Sequence, residues 1–222
     1  PLSRNIAMRI LSRRLTPHAN SSGCHFEVNL PVSSFVRDVH HHVGQDVRFI
    51  HIVRDPRSYA ASAVNWASDK PLNRFFAKHV PYWTYKPPRF ALTRNDTPYP
   101  RMFEMAITNW LICNRYYAEL KELTPNYTLL YFEKLNTYPL DFVKELLTCA
   151  RAEDAFDEER LTEIIPRMTT NPSQKICPPW EQWSDACVRY VHERCGDWMS
   201  SYGYGTEQEW QDKVQKAYNE PL

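Results

Sequence analysis

The sequence predicts an α/β fold in which a parallel sheet is covered by helices. Two short apolar runs, at residues 47–53 and 127–132, have the length and the β-branched or aromatic content of buried strands. Helical periodicity fills the long crossover between them, which is typical of parallel pairing with right-handed connections. With 222 residues, of which 43% are hydrophobic, we expect a single domain over residues 1–222.

Helical signals precede and follow the first strand. We expect a short basic helix over residues 5–15 and another over 31–43, where Gly44 supplies a stop signal. Proline is favoured at the first helical position, so a helix begins at Pro56 and continues to about residue 67. Residues 69–100 contain six prolines and form a long excursion. Such a segment is either a substrate-facing loop or an insertion without function.

The clearest amphipathic helix covers residues 102–121. Its apolar side chains recur at helical spacing on one face, which is typical of a core helix rather than of a cofactor site. That face comprises Phe103, Ala106, Ile107, Trp110, Cys113, Asn114, Tyr117 and Leu120. We expect the following strand to end at Glu133, and a further helix over residues 141–149.

The end of the first strand is a candidate phosphate site. Arg54 follows the strand directly, Asp55 has the character of an N-cap, and Pro56 opens the next helix. An arginine beside a helix N-terminus favours an anion, because both the guanidinium and the backbone N–H groups can donate to it.

This segment also carries a resemblance to a known family. Ile52 to Arg57 (Ile-Val-Arg-Asp-Pro-Arg), with Ser62 eight positions after Arg54, resembles the 3′-phosphate-binding motif of sulfotransferases. These enzymes use 3′-phosphoadenosine 5′-phosphosulfate (PAPS) as sulfuryl donor. The resemblance implies that Arg54 and Ser62 bind the donor's 3′-phosphate, and that the chain has the P-loop-nucleotide-kinase-like sulfotransferase fold. Without it, Asp-Pro-Arg would be an ordinary helix start.

A second match lies at the later strand. Leu130 to Leu135 (Leu-Tyr-Phe-Glu-Lys-Leu) resembles the Arg-Tyr-Glu-Asp-Leu segment of sulfotransferases. Tyr131 stands where arginine is usual and Lys134 where aspartate is usual, whereas Glu133 and Leu135 are kept. We expect Glu133 to be a structural residue first and a site residue second.

The third match is the C-terminal helical pattern that begins at Trp183 and ends at Gly203 and Tyr204. It is similar to the closing segment of Golgi carbohydrate sulfotransferases, and Gly203 sits where a left-handed cap is expected. The three matches together cover residues 45–205. The resemblance also places Lys175 in a late loop that contacts the donor nucleotide; a solvated loop lysine is the alternative.

One part of the family pattern is not found. Sulfotransferases hold the 5′-phosphosulfate with a loop of the type Arg-Ser-Gly-Thr-Thr, but Ser21 to Gly23 has no buried strand before it and no helix after it. Either the chain is N-terminally incomplete or the protein is not a working enzyme. Truncation is the simpler account, since the chain begins with Pro1.

The resemblance implies transfer of a sulfuryl group from PAPS to a hydroxyl or amine of a carbohydrate or glycoconjugate acceptor, leaving the product PAP. No metal is required by this chemistry. A carboxylate or histidine would accept the acceptor's proton. No motif assigns that role among His40, His51, Glu104 and Glu133, so the catalytic residue is unknown.

Two other functions stay open. One is a non-catalytic, sulfotransferase-like protein that binds a nucleotide or a glycan. The other is an unrelated nucleotide-dependent α/β transferase such as a small-molecule kinase, which would need a Gly-rich loop with Lys-Ser or Lys-Thr. The formal net charge of +1 predicts no nucleic-acid partner.

The resemblance also implies a compartment. We expect the luminal side of the Golgi membrane, with an anchor upstream of Pro1, because no apolar run approaches the roughly 18 residues of a membrane span. Three glycosylation sequons, at Asn20, Asn95 and Asn126, favour a luminal glycoprotein. Cys177 and Cys187 could pair in such an oxidising compartment.

Overall fold

The computed structural model describes residues 36–43, 47–69, 87–169 and 176–219, and it is a mostly helical α/β structure with a small parallel sheet. The predicted helix at 5–15 lies outside the described residues. The helices and strands, in chain order, are α1 (Val36–Val43), β1 (Phe49–Val53), α2 (Pro56–Asp69), α3 (Pro100–Leu123), β2 (Tyr127–Tyr131), α4 (Glu133–Thr137), α5 (Pro139–Ala150), α6 (Glu158–Thr169), α7 (Asp185–Ser201) and α8 (Gln208–Asn219). Two 3₁₀ turns occur at Glu153–Ala155 and Trp180–Gln182.

The two predicted strands pair in parallel, as expected. In the register of β1 and β2, Phe49 lies opposite Tyr127 and Val53 opposite Tyr131. The ladder continues past β2, because the N–H of Phe132 donates to the carbonyl of Val53 at 2.8 Å. The α/β class is therefore confirmed, within a described sheet of two strands.

The described residues form two compact units. The first contains both strands, α1, α4, α5, α6 and the part of α3 from Cys113 onward. Its interior includes Val53 and Leu130, at most 1% exposed, and Phe142 of α5. Arg48, just before β1, also contacts the end of α5, because its Nη1 donates a hydrogen bond to the carbonyl of Cys149 at 3.2 Å.

The second unit contains α2, the part of α3 up to Ile112, α7 and α8. Its core is built from the apolar faces of these four helices, which include Ala60, Val64, Phe103, Ile107, Val188, Val191 and Trp210. Ser184 caps α7 by accepting from the N–H of Cys187 at 3.3 Å. The predicted left-handed glycine after α7 is confirmed, since Gly203 has φ +77°.

Several boundaries differ from the expected ones. The helix predicted at 31–43 is described from Val36 only, because its beginning lies outside the described residues. Helix α3 starts earlier than predicted because Pro100 takes its first position, and α5 starts at Pro139 for the same reason. Glu133 opens the short helix α4 rather than only ending a strand.

Besides α4, two further described helices were not predicted, α6 and α8. Helix α6 has Pro166 inside it, a residue that normally argues against a helix interior. Helix α8 is mostly polar, with buried positions only at Trp210, Val214 and Ala217. Of the predicted excursion over 69–100, residues 87–99 contain neither helix nor strand and 70–86 lie outside the described residues.

Candidate functional site

The backbone of Arg54 is fixed at the point where the predicted phosphate site begins. Arg54 is the residue after β1, and it is half-buried. Its carbonyl accepts a hydrogen bond from the indole Nε1 of Trp110 at 2.7 Å. Trp110, which is 4% exposed on α3, therefore holds the backbone of Arg54 just before α2.

The side chain of Arg54 lies along the first turn of α2. Its Nε donates to the hydroxyl of Ser58 at 2.9 Å, and that hydroxyl donates to the carbonyl of Asp55 at 3.1 Å. Ser62 follows Ser58 by four residues, so the two serines lie on the same face of α2, one turn apart. The guanidinium of Arg54 is thus placed on the serine-bearing face of the helix, and Ser62 is half-buried.

Asp55 caps α2, as the sequence predicts. Its Oδ1 accepts from the backbone N–H of Arg57 at 2.8 Å, and its carbonyl accepts from the N–H of Tyr59 at 2.9 Å. Pro56 is the first helical residue. This cap satisfies backbone donors at the start of α2.

Arg57 makes several ionic and ring contacts in this unit, and its role was not predicted. Its side chain is 2% exposed. Nη2 lies 2.6 Å from Asp55 Oδ2 and 2.8 Å from Glu207 Oε1, and Nε lies 3.0 Å from each oxygen of Asp55. The guanidinium carbon lies 4.8 Å from the ring centre of Trp180 and 4.9 Å from that of Trp210.

The electrostatics of Arg57 are those of a matched ion triad. Burial by itself lowers the pKa of Arg57, but hydrogen bonds and charge attraction from Asp55 and Glu207 outweigh it and raise the pKa. Burial raises the pKa of Glu207, and the bond from Arg57 overcomes this and lowers it. Two carboxylates therefore surround one guanidinium, and Arg57 serves the fold.

Glu104 and His51, two of the titratable residues considered as a base, are both engaged inside the protein. The carboxylate of Glu104 is fully buried on α3 and accepts backbone N–H bonds from Ala91 at 3.0 and 3.1 Å and from Leu92 at 2.7 Å. Its position fixes the loop before α3. The imidazole of His51 is 4% exposed and hydrogen-bonded to Tyr127, so it belongs to the interior of its own unit.

The remaining predicted residues are dispersed or undescribed. Glu133 lies in the first turn of α4, and Lys134 pairs with Glu145 at 2.8 Å. Lys175 and the segment Ser21 to Gly23 lie outside the described residues. The described part of the chain contains no group of three or more His, Cys, Asp or Glu side chains arranged to hold a metal ion.

Three features bear on the cellular compartment: membrane-spanning helices, the glycosylation sequons and the cysteines. Among the described helices, none is both long and apolar enough to cross a bilayer. Asn95 lies in an exposed turn, Asn126 is half-buried before β2, and Asn20 is outside the described residues. Cys177 and Cys187 are both buried and carry free thiols, and burial raises their pKa values to about 11 and about 12.

Ser58, Arg57 and Glu207 are the residues of this site that sequence reasoning missed. Ser58 follows Arg54 by four residues, a spacing that predicts contact on a helical face and would have identified it. Arg57 belongs to the motif around Arg54, but nothing in the neighbouring sequence indicates that its side chain is buried. Glu207 has no local signal, since it lies 150 residues from its partner.

Comparisons with known proteins leave the family open. No protein-family model, no curated protein and no solved structure matches this chain. The resemblance to sulfotransferases therefore rests on the motifs around Arg54, Glu133 and Gly203 alone, and what it implies is carried forward as a proposal.

Proposed function

We propose that this protein is a PAPS-dependent sulfotransferase, with the sulfotransferase fold, that acts on a carbohydrate acceptor at the luminal side of the Golgi. The observation that carries the proposal is the placement of Arg54. It follows a parallel strand and lies against the serine-bearing first turn of α2, one turn from Ser62. A 3′-phosphate at this position would receive charge-assisted hydrogen bonds from the guanidinium and a hydroxyl.

The proposed reaction moves one sulfuryl group in line. The bond between the donor's bridging oxygen and sulfur breaks, a bond from sulfur to the acceptor's oxygen or nitrogen forms, and PAP leaves with the electron pair. The acceptor's proton goes to a base that is not assigned. Arg54 and Ser62 bind a phosphate that does not react, so their contribution is to position the donor.

Calorimetry with matched nucleotides tests the 3′-phosphate site. PAP and adenosine 5′-monophosphate differ only in the 3′-phosphate, so the ratio of their affinities isolates the contribution assigned to Arg54. ATP and adenosine 5′-phosphosulfate extend the comparison to ligands that carry a larger group at the 5′ end. We expect PAP to bind more tightly than all three.

Two variants make the test specific. Arg54→Ala should abolish the preference for PAP over adenosine 5′-monophosphate. Arg101→Ala removes the same charge from an exposed position of the same unit and should leave the preference unchanged. A wild-type chain that binds the two nucleotides equally would overturn the proposal.

A further inference from the structure

Glu207 is linked to the candidate anion site through Arg57 and Asp55, inside one compact unit. Its Oε1 accepts from Nη2 of Arg57 at 2.8 Å, and Arg57 holds both carboxylate oxygens of Asp55. The Asp55 carbonyl accepts from the Ser58 hydroxyl, which in turn accepts from Nε of Arg54. A residue far along the chain from the motif thus contacts Arg57, which in turn binds the carboxylate that caps α2.

Backbone hydrogen bonds hold Glu207 at the start of α8. It precedes α8, and its carbonyl accepts the N–H bonds of Trp210 and Gln211 at 3.1 Å each. A carboxylate at a helix start is also favoured by the helix dipole. Trp210 is 1% exposed and lies against Arg57. The ring of Trp180 lies beside it, with the centroids of the two rings 5.5 Å apart.

The charge of Asp55 explains why its neighbours matter for anion binding. A capping carboxylate lies beside the place where a phosphate would approach Arg54, and it would repel that phosphate. Arg57 covers both of its oxygens, and Glu207 together with the two indole rings determines where the Arg57 guanidinium lies. This pairing offsets the repulsion that the capping carboxylate would exert on an anion.

We propose that Glu207 is a positioning residue of the 3′-phosphate site, acting through Arg57 and Asp55 on the orientation of Arg54. This inference rests on the proposed function. The segment before α8 would then contribute to donor recognition. It does so without touching the donor, and it lies outside the motif around Arg54.

The direction in which one substitution changes PAP affinity distinguishes a positioning role from a simple charge effect. Glu207→Gln removes a negative charge near the site, so charge alone would strengthen binding of the PAP anion. A loss of positioning weakens it instead. Glu209→Gln is the matched control, because Glu209 is an exposed carboxylate two residues further on, and its loss changes the net charge equally.

The measurement is the ratio of PAP affinity to adenosine 5′-monophosphate affinity, taken by calorimetry on the full chain. For Glu207→Gln we expect this ratio to fall roughly ten-fold, the value of one charge-assisted hydrogen bond, and for Glu209→Gln we expect no fall. A merely structural role would lower thermal stability, or both affinities together, without changing the ratio. Glu207→Asp, which keeps the charge but shortens the side chain, should lower the ratio by a smaller factor.

A double-mutant cycle completes the test. If Glu207 acts through Arg54, Glu207→Gln should have no further effect on the ratio once Arg54 is alanine. A Glu207→Gln variant that keeps the wild-type ratio would overturn this inference while leaving the proposed function intact. A wild-type chain that shows no preference for PAP would instead overturn the proposed function, and with it this inference.

Discussion

The imidazole of His51 and the hydroxyl of Tyr127 join the two strands through their side chains, with Nδ1 2.7 Å from the phenol oxygen. His51 is 4% exposed on β1 and also stacks on Tyr117, with ring centroids 4.4 Å apart. Burial lowers the pKa of His51 to about 4, against a smaller opposing effect of a hydrogen bond with Asn114. The folded protein therefore keeps this histidine neutral.

The first prediction follows from this lowered pKa. Between the ordinary value of 6.5 and about 4, the unfolded chain binds a proton at His51 that the folded protein does not. Stability therefore rises with pH across this window, and it is lost as pH falls. The contribution is complete above about pH 6.5 and amounts to about 3 kcal/mol at most. Urea unfolding at a series of pH values should show a shallower acid loss for His51→Gln than for the wild type.

An exposed histidine supplies the control for this experiment. His41 lies on α1 with its side chain exposed. His41→Gln makes the same substitution without removing a buried imidazole, so it controls for the loss of a histidine side chain. If His51→Gln keeps the full wild-type slope between about pH 4 and 6.5, the neutral buried state of His51 is wrong.

The second prediction concerns the ion triad at the start of α2. Arg57→Ala leaves the carboxylates of Asp55 and Glu207 without their common partner, with the Asp55 side chain only 15% exposed. Breaking a buried ion pair from one side costs about 3–5 kcal/mol, and chemical denaturation should show a loss of this size. The exposed pair of Arg37 and Glu119, 2.9 Å apart, is the reference.

Arg37→Ala should cost less than about 1 kcal/mol, because both side chains of that pair are roughly half exposed and water screens their attraction. Equal losses for Arg37→Ala and Arg57→Ala would show that burial adds nothing to the triad. Arg57→Lys should recover only part of the loss, since an ammonium cannot donate to both carboxylates in the planar arrangement of a guanidinium.

The third prediction uses two glycines that share a backbone conformation but not their surroundings. Gly203 has φ +77° and open space where a Cβ would lie, whereas Gly205 has φ +69° and a Cβ there would lie 3.0 Å from Met199 Cε and 3.2 Å from Trp210. Gly203→Ala should cost about 1–2 kcal/mol from the backbone alone. Gly205→Ala should cost a further 1–3 kcal/mol or so from crowding.

Thermal unfolding of the two alanine variants measures this difference directly. Because the backbone penalty is common to both, the extra loss at Gly205 reports the close approach of the chain to Trp210. Similar melting temperatures for the two variants would mean that Met199 and Trp210 give way at little cost.

Local signals account for most of what could be predicted from the sequence. The strand at Phe49–Val53, the Asp55 cap and the apolar face of α3 each depend on residues within one or two turns of each other. The spacing of residues along the sequence predicts such local features well. The same holds for Gly203, whose positive φ follows from its place at the end of a helical pattern.

Long-range partners could not be predicted in the same way. The burial of Arg57 depends on Glu207 and Trp210, which approach it only once the chain has folded. Glu104 stands on the apolar side of α3 and is satisfied by the N–H groups of Ala91 and Leu92, in a loop with no regular structure. From the sequence, a carboxylate within a hydrophobic pattern suggests a functional site. Only its hydrogen-bond partners in the folded protein show that Glu104 instead holds a loop in place.

The fourth prediction tests whether Arg54 and Ser62 act on one phosphate. Arg54→Ala should weaken PAP binding by about 1.5–3 kcal/mol, roughly 10- to 150-fold, and Ser62→Ala by about 0.5–1.5 kcal/mol, since a charged donor contributes more than a neutral hydroxyl. In the double variant the losses should fall short of the sum, because the groups share a ligand. Ser68→Ala is the control, because the Ser68 hydroxyl bonds the backbone of α2. Calorimetry that finds additive losses, or none for Ser62→Ala, would separate Ser62 from the site.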